Sequence, residues 1–313
     1  MSENERLPAE LVAMVSQMDG GMEVLASLAK VPTDPSTYVN APEFRALTVR
    51  DVAIPGPHAE VPGRLYLPHR NVPATALVWA HGGGFASGDL DMPEAHWVGL
   101  SIAAAGIPVL SLDYRKCVGG VPPTAPAEDV LAGWGWAVEH FAELGVSDPA
   151  SIHLGGASAG ASLAATVAKR LRDAKAASPA SLVLVYPTLH PDLVQPGENL
   201  AAATAHMPTD LLGVLMKHML TNYAGSVENL SDEYAFPGLG DISGLPPVYV
   251  LNSDVDLLRA SGEKFAAGLT DLGETVTIEY EPDSAHGHLN EPLTDPAHRS
   301  IERIVSWIQP SGS

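Results

Sequence analysis

Short apolar, β-branched runs recur along the chain at 76–80, 109–114, 152–155, 181–187, 248–253 and 276–280. Between most of them lie Ala/Leu-rich stretches of helical character at 93–105, 126–144, 159–174, 260–272 and 296–308. Near-continuous apolar runs are what strands need when both faces are covered, and their alternation with helices predicts an α/β fold: a mostly parallel central sheet with helices on both faces. Between 46 and 68 two strand-like runs follow each other without a helix, which predicts an antiparallel hairpin at one sheet edge. No internal repeat or low-complexity tract interrupts this order.

Two segments depart from the alternation. In residues 1–45, Leu11, Met14, Met18, Met22 and Leu25 stand three or four apart, the apolar stripe of an amphipathic helix, with Gly20 and Gly21 placed to break or kink it. At about 188–241, Thr209 is suited to cap a helix carrying Leu212, Leu215, Met219 and Tyr223. The expected organisation is an N-terminal helical cap segment at 1–45 and a main domain at 46–313, with a cap insertion at about 188–241. Helical spacing alone fits ordinary covering helices equally well.

Composition narrows the function. At 313 residues and 46% hydrophobic content the chain can bury a large core. Asp and Glu outnumber Lys and Arg by 37 to 17, and no basic run occurs, so a phosphate-binding surface for nucleic acid is not expected. The acidity reads as a solubility feature or as that of an acid- or salt-tolerant host. The polar start, MSENERLPAE, lacks the apolar stretch of a secretory signal, and no run reaches membrane-spanning length, so a cytoplasmic protein with no membrane partner is expected. The single cysteine, Cys117, excludes an intramolecular disulfide and a Cys-based zinc cluster, and without an activating pattern around it reads as a packed thiol.

The chemistry concentrates in two glycine-rich turns. Gly156-Ala157-Ser158-Ala159-Gly160 follows a strand and opens an alanine-rich helix, the context that turns a weak G-x-S-x-G match into a nucleophile elbow with an exposed serine hydroxyl. His81-Gly82-Gly83-Gly84-Phe85 follows the strand at 76–80, and its consecutive glycines allow backbone N–H groups to converge on one point, as a tetrahedral oxyanion requires. Gly83, Gly84 and Ala159 are the expected oxyanion donors, and His81 the expected brace of the loop. A phosphate cradle would need a G-K-[ST] ending, which is missing.

After an elbow of this kind, the acid and the base are expected at the ends of later strands, in the order acid, then His. Asp254 and Asp256 both follow the strand at 248–253; His286 and His288 follow that at 276–280. His286 comes first, with Gly287 giving its backbone room to turn. The His-x-His spacing also suits a metal, but no further His/carboxylate motif accompanies it.

These residues resemble the hormone-sensitive-lipase-like branch of the α/β hydrolases, which includes the bacterial family IV esterases. The likeness runs from about Leu65 onward and adds Leu112-Asp113-Tyr114-Arg115, Tyr186-Pro187, Gly244-Leu245-Pro246-Pro247 and Asp256-Leu257-Leu258-Arg259 with Ser261-Gly262-Glu263. The resemblance selects Asp256, three residues before the arginine, as the acid, and His286, before a glycine, as the base. It departs from the family at Ala157, often acidic there, at the stretch from Lys116 to Asp129, and at His288, where an aromatic is common.

The resemblance therefore implies a serine carboxylesterase of the α/β-hydrolase fold. Ser158, Asp256 and His286 would cleave short- to medium-chain esters through an acyl-enzyme, with no metal or organic cofactor, and a homodimer is possible. Two other functions use the same fold: a small-molecule receptor, which in known relatives lacks the histidine that this chain keeps, and a lyase working with the same oxyanion site.

Overall fold

The inner parallel strands of this chain are buried on both sides because each side meets a different helical layer. The computed structural model describes residues 34–69, 75–205 and 209–309. Their order is β1 (Thr48–Ile54), β2 (Val61–Leu67), β3 (Ala76–Ala80), α1 (Pro93–Ala104), β4 (Val109–Leu112), α2 (Ala125–Glu139), β5 (Ile152–Ala157), α3 (Ala159–Asp173), β6 (Leu182–Val185), α4 (Glu198–Ala203), α5 (Thr209–Ala224), β7 (Val248–Val255), α6 (Arg259–Asp271), β8 (Val276–Ala285) and α7 (Asp295–Ile308). The strands form an eight-stranded sheet in the order β1-β2-β4-β3-β5-β6-β7-β8. The hairpin expected at 46–68 is the antiparallel β1–β2 pair at the sheet edge; β2 also runs antiparallel to β4, and β3 to β8 are parallel.

Alternate strand residues feed two separate cores, as the period of two in a strand dictates. Val78, Leu110, Leu154, Leu184 and Val250 face one cluster with Trp134 of α2, Leu163 and Val167 of α3, Leu220 and Tyr223 of α5 and Phe265 of α6. Leu77, Trp79, Val109, Val183, Val185 and Leu251 face the other, with Trp97 and Ile102 of α1 and Ile301, Ile304 and Ile308 of α7.

The sequence reading of 126–144 as one helix is corrected: α2 ends at Glu139, His140 leaves helical geometry at φ −110°, ψ 27°, and a short 3-10 turn follows at Phe141–Leu144. The helical stripe expected around Leu11 to Leu25 lies outside the described residues. Within the rest of that segment, Tyr38 and Phe44 pack into the core on the α1 side. Between residues 188 and 241 stand α4 and α5, the latter over the helix predicted from Thr209.

Candidate active site

In a parallel sheet the carboxyl ends of the strands open onto one common edge, and a site assembled there draws on loops far apart in sequence. Here β3 leads into the triple-glycine loop, β5 into Ser158, β7 into Asp256 and β8 into His286.

Ser158 sits between β5 and α3 at φ 52°, ψ −117°, a conformation that costs a non-glycine residue strain and persists only when its surroundings enforce it. Enforcement comes from close packing. A Cβ on Gly160 would stand 2.1 Å from the carbonyl oxygen of Ala80 and 2.4 Å from that of His81, and one on Gly156 would stand 2.4 Å from Ala80 O. Only glycine admits that approach of strand, turn and helix. The Ser158 N–H donates to Val185 O at 2.9 Å, fixing the turn to β6.

The Ser158 hydroxyl lies 3.0 Å from His286 Nε2, and His286 Nδ1 lies 2.7 Å from Asp256 Oδ2. The other Asp256 oxygen accepts the Leu258 N–H at 2.9 Å. Asp256 is almost fully buried and the His286 ring is 35% exposed, so the carboxylate is shielded while the imidazole stays open. Burial works against a charged imidazole at His286, but the charge of Asp256, its hydrogen bond and the more distant charge of Glu94 outweigh it and raise the pKa above its ordinary 6.5.

The two alternatives left by the sequence separate clearly. Asp254, near the end of β7, accepts from Nη1 of Arg259, the first residue of α6, at 2.7 Å. The Asp254 side chain is thus engaged in an ion pair with Arg259. His288 is buried with Nδ1 2.9 Å from Ser253 Oγ and Nε2 2.7 Å from Ser300 Oγ. Desolvation, above all, depresses its pKa to about 4, so it is a neutral tie between β7 and α7.

Gly83 and Gly84 take φ of 106° and 61°, the left-handed region that favours glycine. The N–H groups of Gly83, Gly84 and Ala159 have no acceptor among the described residues. The loop is held from beneath. The Tyr114 hydroxyl donates to the carbonyls of His81 and Gly82 at 2.8 and 2.9 Å, and the buried His81 ring stacks on Tyr114 with Nδ1 2.7 Å from Gly82 O. Above Gly84 stands Met219 of α5, whose sulfur would lie 2.1 Å from a Cβ placed there, and Tyr223 stacks on Phe85. Cys117 is buried near the carbonyls of Pro122 and Pro123, and burial pushes its thiol up to about 12, so it holds no reactive thiolate.

Sequence reasoning missed Glu94 and Asn290. Glu94, in the first turn of α1, is buried and accepts from Gly82 N, the Tyr186 hydroxyl and Asn290 Nδ2. An acid just inside a helix after a proline is ordinary helix-start chemistry, which hides any other role. The available signal was its place in a helix whose other positions are nearly all apolar.

Comparison with known proteins agrees with this architecture. A family model described as alpha/beta hydrolase fold matches residues 77–290. Carboxylesterase NlhH of Mycobacterium tuberculosis is 33% identical over 281 residues, covering 88% of this chain and 85% of that protein. Ethyl acetate hydrolase of Pseudomonas putida is 29% identical over 255 residues, covering 80% and 78%. Among solved structures, the thermostable carboxylesterase EstE1, cloned from a metagenomic library, superposes with a TM-score of 0.75 at 26% identity, covering 99% of this chain and all of that one. A sheet of this topology, a serine elbow after β5, and relatives of this similarity across most of the chain lead to one assignment: this protein belongs to the α/β-hydrolase family, in its hormone-sensitive-lipase-like branch of bacterial family IV esterases.

Proposed function

We propose that this carboxylic ester hydrolase works through Ser158 as nucleophile, His286 as general base and acid, and Asp256 as the acid that orients the imidazole. The observation that carries the reading is the unbroken relay of 3.0 Å from Ser158 Oγ to His286 Nε2 and 2.7 Å from His286 Nδ1 to Asp256 Oδ2. As Ser158 Oγ attacks the ester carbonyl, its proton passes to His286 Nε2, and the charge on Asp256 stabilises the imidazolium. The carbonyl oxygen, now negative, is held by the N–H groups of Gly83, Gly84 and Ala159. His286 returns the proton to the departing alkoxide, leaving an acyl group on Ser158. A water then gives its proton to His286 as it attacks that acyl carbon, and the collapsing intermediate takes the proton back onto Ser158 as the acid leaves.

Substrates are short- to medium-chain esters. Met219 and the Tyr223–Phe85 stack lie against the glycine loop, which supports an acyl pocket of limited length under a cap formed by the insertion at about 188–241. Among the described residues no helix is long and apolar enough to cross a membrane. A second copy of the chain, joined through a sheet edge, is the inferred partner, and light scattering of the purified protein checks its presence; nucleic acid is not an expected one.

Labelling with an organophosphonate ester tests the assignment, because its phosphonyl adduct mimics the tetrahedral state that base and oxyanion donors hold. Intact mass should show one adduct, located on Ser158, and a p-nitrophenyl ester series should lose activity in Ser158→Ala. Absence of an adduct, or an adduct on Cys117, overturns the reading. Ligand binding without turnover would favour a receptor, and an eliminated rather than hydrolysed product a lyase.

A further inference from the structure

Glu94 is a buried carboxylate that the reaction above does not use. It is 2% exposed, and among the described residues no Lys or Arg pairs with it, so its charge is sheltered without a counter-ion. Burying such a group is costly unless strong hydrogen bonds replace water. Oε2 accepts the Gly82 N–H at 2.5 Å; Oε1 accepts the Tyr186 hydroxyl at 2.5 Å and Asn290 Nδ2 at 3.3 Å. Both oxygens face donors only, the surroundings of an ionised carboxylate. Its backbone is tied as well, with Trp79 Nε1 donating to Glu94 O at 2.8 Å and Glu94 N to Asn290 Oδ1 at 3.2 Å.

The three donors to this carboxylate belong to three separate parts of the site. Gly82 opens the glycine loop, and a Cβ there would lie 2.4 Å from Glu94 Oε2 and 3.1 Å from Ser158 Cβ, so the loop is seated between acid and nucleophile. Tyr186, at the end of β6, stands edge-on to the His286 ring with centroids 5.0 Å apart. Asn290 closes the turn that follows His286.

We propose that Glu94 is a positioning residue for ester cleavage, holding the Gly82–Gly84 loop where the oxyanion forms and supplying, besides Asp256, a second fixed negative charge to the His286 imidazolium. This rests on the roles given above to Ser158 and His286. The groups around the imidazole are Ser158 at Nε2, Asp256 from the loop after β7, the Tyr186 ring from the end of β6, and His288 two residues on, with Glu94 of α1 one hydrogen bond behind Tyr186; Tyr114 faces the glycine loop from beyond β4. Tyr186 and Tyr114 stay protonated because burial raises both phenols, and His288 stays neutral, so Asp256 and Glu94 are the charges that act.

The test is Glu94→Gln, which keeps the shape and removes the charge. The amide oxygen can still accept from Gly82, but the amide nitrogen then meets donors. Expected is a fall in kcat of roughly 10- to 100-fold for p-nitrophenyl butyrate, with KM within about threefold, since the loop acts on the transition state. The acid limb of kcat/KM should also move to lower pH, because an imidazolium with one anion fewer loses its proton more easily. Unchanged kcat overturns the proposal, and so does a lower kcat with an unmoved acid limb, which would make Glu94 a fold support. Tyr186→Phe removes one hydrogen bond to Glu94 and keeps the ring against His286; it should lower kcat roughly three- to tenfold and leave the limb in place. Should Glu94→Gln fail to fold, wild-type kcat in Tyr186→Phe overturns the proposal. An unlabelled Ser158 in the wild type would instead sink the reading on which it rests.

Discussion

Replacing Asp256 by asparagine changes one atom and should remove almost all activity. Asp256 is 5% exposed and spends its two oxygens on two donors, Leu258 N–H and His286 Nδ1–H. An asparagine has one acceptor to offer. If its oxygen keeps the Leu258 N–H, its amide nitrogen faces His286, and Nδ1 must become the acceptor. The ring proton then sits on Nε2, facing the Ser158 hydroxyl, and the base is blocked. In the serine-protease precedent this tautomer switch costs about 10⁴ in kcat, which corresponds to about 5 kcal/mol of transition-state stabilisation. Asp254→Asn breaks only an ion pair between Arg259 and a carboxylate that is 40% exposed. Such a pair contributes about 0–1 kcal/mol to stability, and neither partner is hydrogen-bonded to Ser158 or His286, so kcat should stay within about fivefold of wild type. Both variants are to be assayed on p-nitrophenyl butyrate above pH 8, with melting temperatures measured alongside so that loss of fold is not read as loss of catalysis. Asp254→Asn proving the deeper catalytic defect, or Asp256→Asn remaining within tenfold of wild type, would refute the tautomer argument.

The acid limb of kcat/KM in the wild type should lie above pH 6.5, because His286 must be neutral to act and its pKa is raised; a limb well below 6.5 in a pH-rate profile would contradict this. His288→Ala should keep kcat within about tenfold while lowering the melting temperature, since its ring nitrogens meet Ser253 and Ser300 rather than Ser158. His288, with a folded pKa near 4, also makes the unfolded chain the stronger proton binder, so stability should fall as pH drops from 6.5 towards 4, by about 3 kcal/mol from this residue at pH 4; a urea-melt series at several pH values reads this. Gly160→Ala would press a methyl group onto the Ala80 and His81 carbonyls and should cost at least about 2 kcal/mol and most of the activity, read by thermal melts and ester turnover. Rates on p-nitrophenyl esters should decline beyond medium acyl length, whereas a steady rise towards long chains with activation at an oil interface would mean an open site.

The serine elbow and the glycine loop were legible in the sequence because each is a local device. A strand, a tight turn and a helix lie within a dozen residues, and the glycines that permit their close approach are written next to the serine they expose. The strand-helix alternation was legible for a similar reason: strands buried on both faces must be apolar throughout, and their partners must carry an apolar face.

The choice between Asp254 and Asp256 was of another kind. Two positions two apart on a strand share a face, so alternation alone gives them equal claim, and the family resemblance had to choose between them. The tertiary structure separates them through an irregularity in the β7–β8 pairing between Ser253 and Val255 and the end of β7 at Val255, after which Asp256 turns to His286 and Asp254 to Arg259. Helix α2 shows the same limit, since its apolar spacing runs on past His140 while the backbone does not. For Glu94 the sequence offered only a lone acid in a largely apolar helix, with no pointer to its partners. Its partners Gly82, Tyr186 and Asn290 stand 12, 92 and 196 residues away along the chain, and a buried carboxylate is distinguished from a surface one only by the donors that folding brings around it.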